Sequence, residues 1–371
     1  MTGTTIQTDD RFASWGKWPA RLLLAALAAL LLAAALVPIE AAVQNYAKAG
    51  LVEQITGAKV EGAERPRDYD LQLYDFVVER IGQGENYYKA AAEGHRHFLF
   101  PLRPGFAVRL PTLAYLQMIL GEVGQMAAAV GLMLAVLWAW WRRLGDEGCS
   151  PRLRRLGTTL IFFGAALGLN RYYFALHELW AGQLLALSLA LHRPGQRWLG
   201  AFIAAGLALA IREHALPYVL LMGAFALWRG DRKEALAWAA LVAAFGGALA
   251  WHLHMVAQQV LPSDGLGPPW LVLRGLSGWL SNVVLSSNMR FLPHWLAGPL
   301  VMLAILGWAG WKRELGAFAT LLFLGYGLVF MIVGRPDNFY WGAMIAPALF
   351  AGLIFTPRAL GSLWHAGFNR S

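Results

Sequence analysis

Leu22-Leu23-Leu24-Ala25-Ala26-Leu27-Ala28-Ala29-Leu30-Leu31-Leu32-Ala33-Ala34-Ala35-Leu36-Val37 decides the fold class. No side chain in it carries a charge or a hydrogen-bonding group, so the segment belongs where water is excluded. It fills most of an apolar run at 20–39, close to the roughly 20 residues that carry a helix across the hydrocarbon core of a bilayer. Arg11, Lys17 and Arg21 precede it, as in a signal peptide, but the apolar part is long for one and predicts an uncleaved anchor. Further apolar runs fall at 113–141, 157–170, 177–191, 198–211, 216–229, 235–256, 294–311, 315–334 and 339–356.

Composition agrees with those runs. Hydrophobic residues make up 58% of the 371 and charged residues 14%, against roughly 25% charged in an ordinary globular chain. Too few charges are present to cover a soluble protein of this size. The expectation is an all-α polytopic transmembrane bundle forming a single integral membrane domain over 1–371. It has about ten spans, or eight if the short runs at 157–170 and 198–211 are tilted or broken helices. Residues 40–112 form a large first extracytoplasmic loop, and 113–371 the remaining bundle with polar outer turns.

The net charge of +9, from 31 basic and 22 acidic residues, reads as topology rather than as nucleic-acid binding. With ten spans, one side receives Arg11, Lys17, Arg21, Arg142, Arg143, Arg152, Arg154, Arg155, Arg193, Arg197, Arg229, Arg232, Lys233, Lys312, Arg313, Arg358 and Arg370. The other side, leaving aside the long loop, receives Arg171, Arg212, Arg274, Arg290 and Arg335. Both termini are therefore expected in the cytoplasm of a bacterial inner membrane. Trp138, Trp140, Trp141, Trp228, Trp308 and Trp311 read as part of an inner interfacial belt. The single cysteine, Cys149, excludes an internal disulfide and a cysteine metal cluster.

In the long loop, Leu71, Tyr74, Val78 and Ile81 recur at helical spacing, with Asp75 and Glu79 on another face. Asp70 is placed as N-cap, and Gly82 and Gly84 as the stop. The segment predicts an amphipathic helix lying on the outer membrane surface, after a charged turn of Glu64, Arg65, Arg67, Asp68 and Asp70. His95 and His97 read as solvated loop residues, and Glu122 as bonding a neighbouring helix. The other outer turns are short and polar: Asn170-Arg171-Tyr172-Tyr173 with His177-Glu178, then Arg212-Glu213-His214, then Gly334-Arg335-Pro336-Asp337-Asn338-Phe339-Tyr340-Trp341. Ionisable groups at a membrane boundary mark a site unless they pair, and Arg171–Glu178 and Arg212–Glu213 are the pairings that spacing offers.

An early anchor, a large outer loop with an acid before an amphipathic helix, and many spans with polar outer turns resemble the GT-C superfamily of integral membrane glycosyltransferases. The residues carrying the likeness are Asp70-Leu71-Gln72-Leu73-Tyr74, Ile81-Gly82-Gln83-Gly84 and Tyr87-Tyr88. Leu71 stands where many members have a second acid. The resemblance implies a polyprenyl-phosphate-linked sugar donor used at the outer face, a lipid, glycan or protein acceptor, and no nucleotide. It implies Asp70, with Asp68 second, as the base that takes the acceptor's proton. Arg171, Arg212 and Arg335 would bind the lipid phosphate, and His177, Glu178, Glu213, His214, Asp337 and Asn338 would orient hydroxyls. No metal-ligand cluster is visible, so the expectation is no cofactor, with a divalent cation left open.

Two other classes compete. A lipid-linked polysaccharide ligase or polymerase also uses outer-face Arg and His, but generally places its large outer loop late in the chain. A transporter or flippase with an outward polar cavity predicts internal repeats and charges near mid-membrane, and neither pattern is evident.

Overall fold

A computed structural model describes residues 10–39 and 68–369. Glu64, Arg65, Arg67 and Arg370, used above, lie outside them. In chain order the helices are α1 (Lys17–Leu36), α2 (Tyr69–Gly82), α3 (Tyr87–His97), α4 (Thr112–Asp146), α5 (Pro151–Ala165), α6 (His177–Leu191) and α7 (Leu199–Ile211). They continue with α8 (Leu216–Arg229), α9 (Arg232–Ala257), α10 (Gly275–Leu285), α11 (His294–Gly310), α12 (Glu314–Ile332), α13 (Ala346–Leu349) and α14 (Thr356–Trp364). Among the described residues there is no strand beyond isolated bridges.

The described residues are all-helical, and apart from α2, α3, α10 and the C-terminal α14 the helices lie on the apolar runs. Four segments are long and apolar enough to cross a bilayer: Lys17–Leu36, Gly105–Asp146, Arg232–Ala257 and Glu314–Ile332. A fifth exists if Ala346–Ile354 and Thr356–Phe368, bent by 49°, form one span. At 1.5 Å per residue, α6, with 15 residues, and α7, with 13, fall short of a core roughly 30 Å thick. Ten full-length spans are therefore not what the described residues provide.

Helix α6 is the interior element. Polar residues are few along Leu179–Leu191 and most of its length is buried, the pattern of a helix covered on every side. It packs between α4, α7 and the segment Pro336–Met344. Two glycines set that last contact. A Cβ on Gly182 would stand 1.9 Å from the Ala343 carbonyl oxygen, and one on Gly342 would stand 1.9 Å from that of Asn282. The chain at 336–344 is thus held backbone against backbone between α6 and α10, an approach that no side chain permits. The regular helix expected over 339–356 gives way to 3₁₀ turns at Pro336–Met344 and Phe350–Ile354 around the short α13. Helix α10, in a stretch read as outer loop, was not anticipated.

Helix α4 breaks near one end. Gly121 has φ 59° and ψ −173° within it. Side-chain amides bridge the break: Gln117 donates to Gln125 Oε1 at 3.2 Å, and Gln125 donates to the Gln117 carbonyl at 3.3 Å.

Helix α2 forms as expected but does not lie open on a membrane surface. Leu71, Leu73, Val77 and Ile81 are buried, and Asp75 and Glu79 are the well-exposed side chains before the terminal Gly82. The apolar face is covered by protein, packing with Tyr87, Ala91, Leu102, Ala114 and Val256. Its N-cap is Asp68, with no side-chain bond, and Asp70 stands in the first turn. Several tryptophans are corrected too. Trp138 and Trp228 are exposed, but Trp140, Trp308 and Trp311 are buried. Their indole N–H groups donate to the Ala186 carbonyl, the Leu349 carbonyl and the Glu147 carboxylate at 3.0, 2.9 and 2.8 Å. They are core residues because each finds a partner inside.

His95 is helical and buried rather than solvated, and its Nδ1 lies 2.9 Å from the Pro101 carbonyl. Burial pushes its pKa down from 6.5 to about 4. The unfolded chain therefore takes up this proton first. The stabilisation is complete above the unfolded value and is lost as pH falls toward the folded one. Thermal unfolding in detergent is expected to show a penalty on the order of 3 kcal/mol between pH 7 and pH 4, smaller in His95→Gln. Identical pH slopes for the two proteins would assign the acid sensitivity elsewhere.

Candidate active site

The helix ends opposite the basic loops bring together charges that are far apart in sequence. Glu178, in the first turn of α6, is 1% exposed and forms an ion pair with Arg212, Oε1 to Nε 2.8 Å, without the alignment of a hydrogen bond. Arg212, equally buried, also pairs with Glu213 and lies 3.3 Å from His214 Nε2 through Nη2. It sits at the C-cap of α7, where the chain is extended before the 3₁₀ turn Glu213–Ala215. Buried charges of this kind survive only when paired, because an isolated one costs several kcal/mol.

Arg109 joins the same centre from the segment before α4. Its Nε donates to the Tyr74 hydroxyl at 3.0 Å, and Nη2 reaches the Tyr340 hydroxyl at 3.4 Å and Glu178 at 3.8 Å. Its Nη1 has no hydrogen-bond partner among the described residues. Asn338 donates to the same Tyr340 hydroxyl at 3.4 Å and accepts the Arg335 backbone N–H at 3.1 Å. The Arg335 side chain pairs with Asp337 at 3.4 Å. His177 packs edge-on to Tyr74 with centroids 5.4 Å apart, and both its ring nitrogens are buried without a hydrogen bond among the described residues.

Asp70 stands one helical turn before Tyr74 on α2. Its half-buried carboxylate has no side-chain partner among the described residues. Burial raises its pKa above the ordinary 3.8, and Asp68 and Asp337 push the same way, against Arg109 and a bond to its own backbone. Asp68 is fixed by its backbone N–H, which donates to the Tyr172 hydroxyl at 3.1 Å.

Most of the expected residues therefore share one region: Glu178, Arg212, Glu213, His214, Asp337, Asn338, Arg335 and Asp70. Arg171 does not join them. Its side chain is 63% exposed and pairs with Glu122, which is itself exposed at the Gly121 break and does not bond a neighbouring helix in the interior. The Arg171–Glu178 pairing expected from spacing is replaced by Arg212–Glu178, because Glu178 points into the bundle and Arg171 lies on its rim. Arg171 and Glu122 line a separate groove of about 650 Å³ with Asp75, Glu79 and Gln117. Arg109 was missed because it belongs to the long loop, which topology counting sets aside.

A second cavity touches the centre from the side. About 390 Å³ in volume, it runs between α8 and α12, lined by Pro217, Leu221, Leu321 and Val329, with His214, Trp270 and Trp341 at its polar end. The His214 and Trp341 rings meet edge to face at 4.6 Å. Among the described residues, no three His, Cys, Asp or Glu side chains converge as a metal ion would require. No protein-family model, curated protein or solved structure matches this chain.

Proposed function

We propose that this protein is a membrane glycosyltransferase of the GT-C type, moving a sugar from a polyprenyl-phosphate donor to an acceptor at the extracytoplasmic face. The observation that carries the reading is the adjoining of a side-chain-unpaired carboxylate, a buried arginine centre and an apolar groove. A prenyl chain fits the wall of Leu221, Leu321 and Val329. That groove ends at His214, which lies beside Arg212, so the donor's phosphate would arrive where guanidinium groups stand. Arg109, with Nη1 unengaged, and Arg335 at the rim are the phosphate ligands we assign, since a guanidinium matches phosphate oxygens two at a time.

In the proposed step the acceptor hydroxyl attacks the anomeric carbon and gives its proton to the Asp70 carboxylate. The bond from that carbon to the phosphate oxygen breaks, and its electron pair leaves with the polyprenyl phosphate. Arginine stabilises the charge developing there. A carboxylate with a raised pKa suits the role, because a base works best when its pKa approaches the operating pH. The layout we propose with this chemistry has eight to ten crossings, the short helices crossing with their 3₁₀ extensions, and both termini in the cytoplasm of an inner membrane.

The direct test is transfer from labelled polyprenyl-phosphate sugars in membranes that contain or lack the protein, read beside the envelope glycans of a deletion strain. Unaltered glycans and no donor consumption would remove the proposal. The reading also fixes a pH dependence. Asp70 must be ionised, so activity falls on the acid side of its pKa. Asp337→Asn removes a carboxylate that raises that pKa and is expected to move the acid limb of kcat/KM to lower pH. A limb that stays in place or moves up would detach Asp70 from the proton transfer.

A further inference from the structure

The opposite ends of α4 and α6 hold a groove that the proposed reaction does not use. Its volume is about 790 Å³, and Trp138, Arg142, Arg193, Arg197, Trp198 and Leu199 line it. The turn that supplies two of these arginines is preorganised. Arg193 N–H donates to the Arg197 carbonyl at 2.9 Å, Arg197 N–H donates back at 3.1 Å, and Gly195 takes φ 66° between them.

The charges are not balanced within the groove. Arg193 is held by Asp146 through Nη2 at 2.6 Å. Arg142 stacks over Trp138 at 5.4 Å, and among the described residues neither Arg142 nor Arg197 has a carboxylate partner. The nearby acids are committed elsewhere, Glu147 to Arg143 at 3.1 Å and Glu234 to His192 at 2.7 Å.

Two apolar stripes lead away from this cationic rim. On α4, Trp138, Leu134 and Val130 are exposed at successive four-residue steps; on α7, Leu199, Ile203 and Leu207 are exposed in the same way. Four-residue steps keep side chains on one helix face. Both stripes begin at the groove and run in the same direction along the bundle. A cationic pocket over two parallel apolar faces has the polarity of one phospholipid molecule.

We propose that this groove is a binding site for an anionic phospholipid, with the phosphate between Arg142 and Arg197 and the acyl chains along the two stripes. Basic pockets between membrane helices recognise anionic headgroups in this way. Trp138 and Trp198 suit the interfacial depth at which an ester linkage would lie. The site is independent of the sugar-transfer reading.

The test is native mass spectrometry of the full-length protein titrated with phosphatidylglycerol and phosphatidylcholine of identical acyl chains. The wild type is expected to retain phosphatidylglycerol at least tenfold better. Arg142→Gln/Arg197→Gln is expected to weaken that retention by roughly ten- to thirty-fold, while Arg152→Gln/Arg155→Gln leaves it unchanged. Each single variant should lose part of the effect, which separates binding from a folding defect in the double variant. Ile203→Gln should weaken lipid retention with both arginines intact. Equal retention of the two lipids by the wild type would overturn the proposal, as would undiminished retention in the folded arginine variants. Displacement by millimolar inorganic phosphate would also overturn it, by making the groove a phosphate site instead.

Discussion

Asp70→Asn is expected to cut sugar transfer by roughly 10²- to 10⁴-fold, the usual contribution of a positioned general base, while folding and membrane insertion persist. The size follows from the chemistry: an amide of the same shape cannot accept the acceptor's proton, so the attacking oxygen must lose it to solvent. Preserved folding follows from the structure, since the Asp70 carboxylate makes no side-chain hydrogen bond or ion pair among the described residues, and removing its charge relieves repulsion from Asp68 and Asp337. Transfer should be measured with saturating donor alongside the thermal midpoint in detergent. A stable variant with wild-type turnover would move the base elsewhere, Asp68 being the next group to test. An unstable variant would instead make Asp70 structural.

Arg212→Met is expected to act in the opposite way, through stability first. Arg212 is 1% exposed and serves Glu178 and Glu213 together. Without it, among the described residues, Glu213 keeps only His214 at 3.8 Å as an ion-pair partner, and Glu178 only the looser contact with Arg109 at the same distance. Removing one member of a buried pair typically costs 3–5 kcal/mol, because the remaining charge is left uncompensated. Pairing the change with Glu178→Gln should recover part of the loss, and the double-mutant cycle measures how much. A destabilisation below about 1 kcal/mol would show that solvent reaches these carboxylates and that the centre is wetter than its burial implies.

Where helices run was legible because apolar runs bounded by polar turns leave little choice. How far each helix crosses was not: the runs at 177–191 and 198–211 are largely apolar, yet each ends where a charged turn folds into the bundle. Helix α2 could be read from Leu71, Tyr74, Val78 and Ile81, but periodicity marks an apolar face without saying what covers it. Val256, far along the chain, is one of the residues that do. Glu178, Arg212, Glu213 and His214 were recognised because charges at a membrane boundary need a reason. Of the pairings spacing offers, Arg212 with Glu213 forms, but Arg171 with Glu178 does not, since only the fold shows that those two face different ways. Arg109 carries no local signal: it is one arginine in a long loop, and its place beside Tyr74, Tyr340 and Glu178 depends on three distant segments.

The Gly121 break divides α4 into a short N-terminal piece and a long shaft, and Arg109 is carried by the chain that enters the short piece. A continuous helix would transmit any displacement of Arg109 down its whole length. Here the ladder is interrupted, and side-chain amides at Gln117 and Gln125 bridge the gap with contacts of 3.2 and 3.3 Å. Such bonds exchange with water at little net cost, about 1 kcal/mol each. If Arg109 binds phosphate as proposed, this break is where the short piece would adjust to the ligand independently of the shaft.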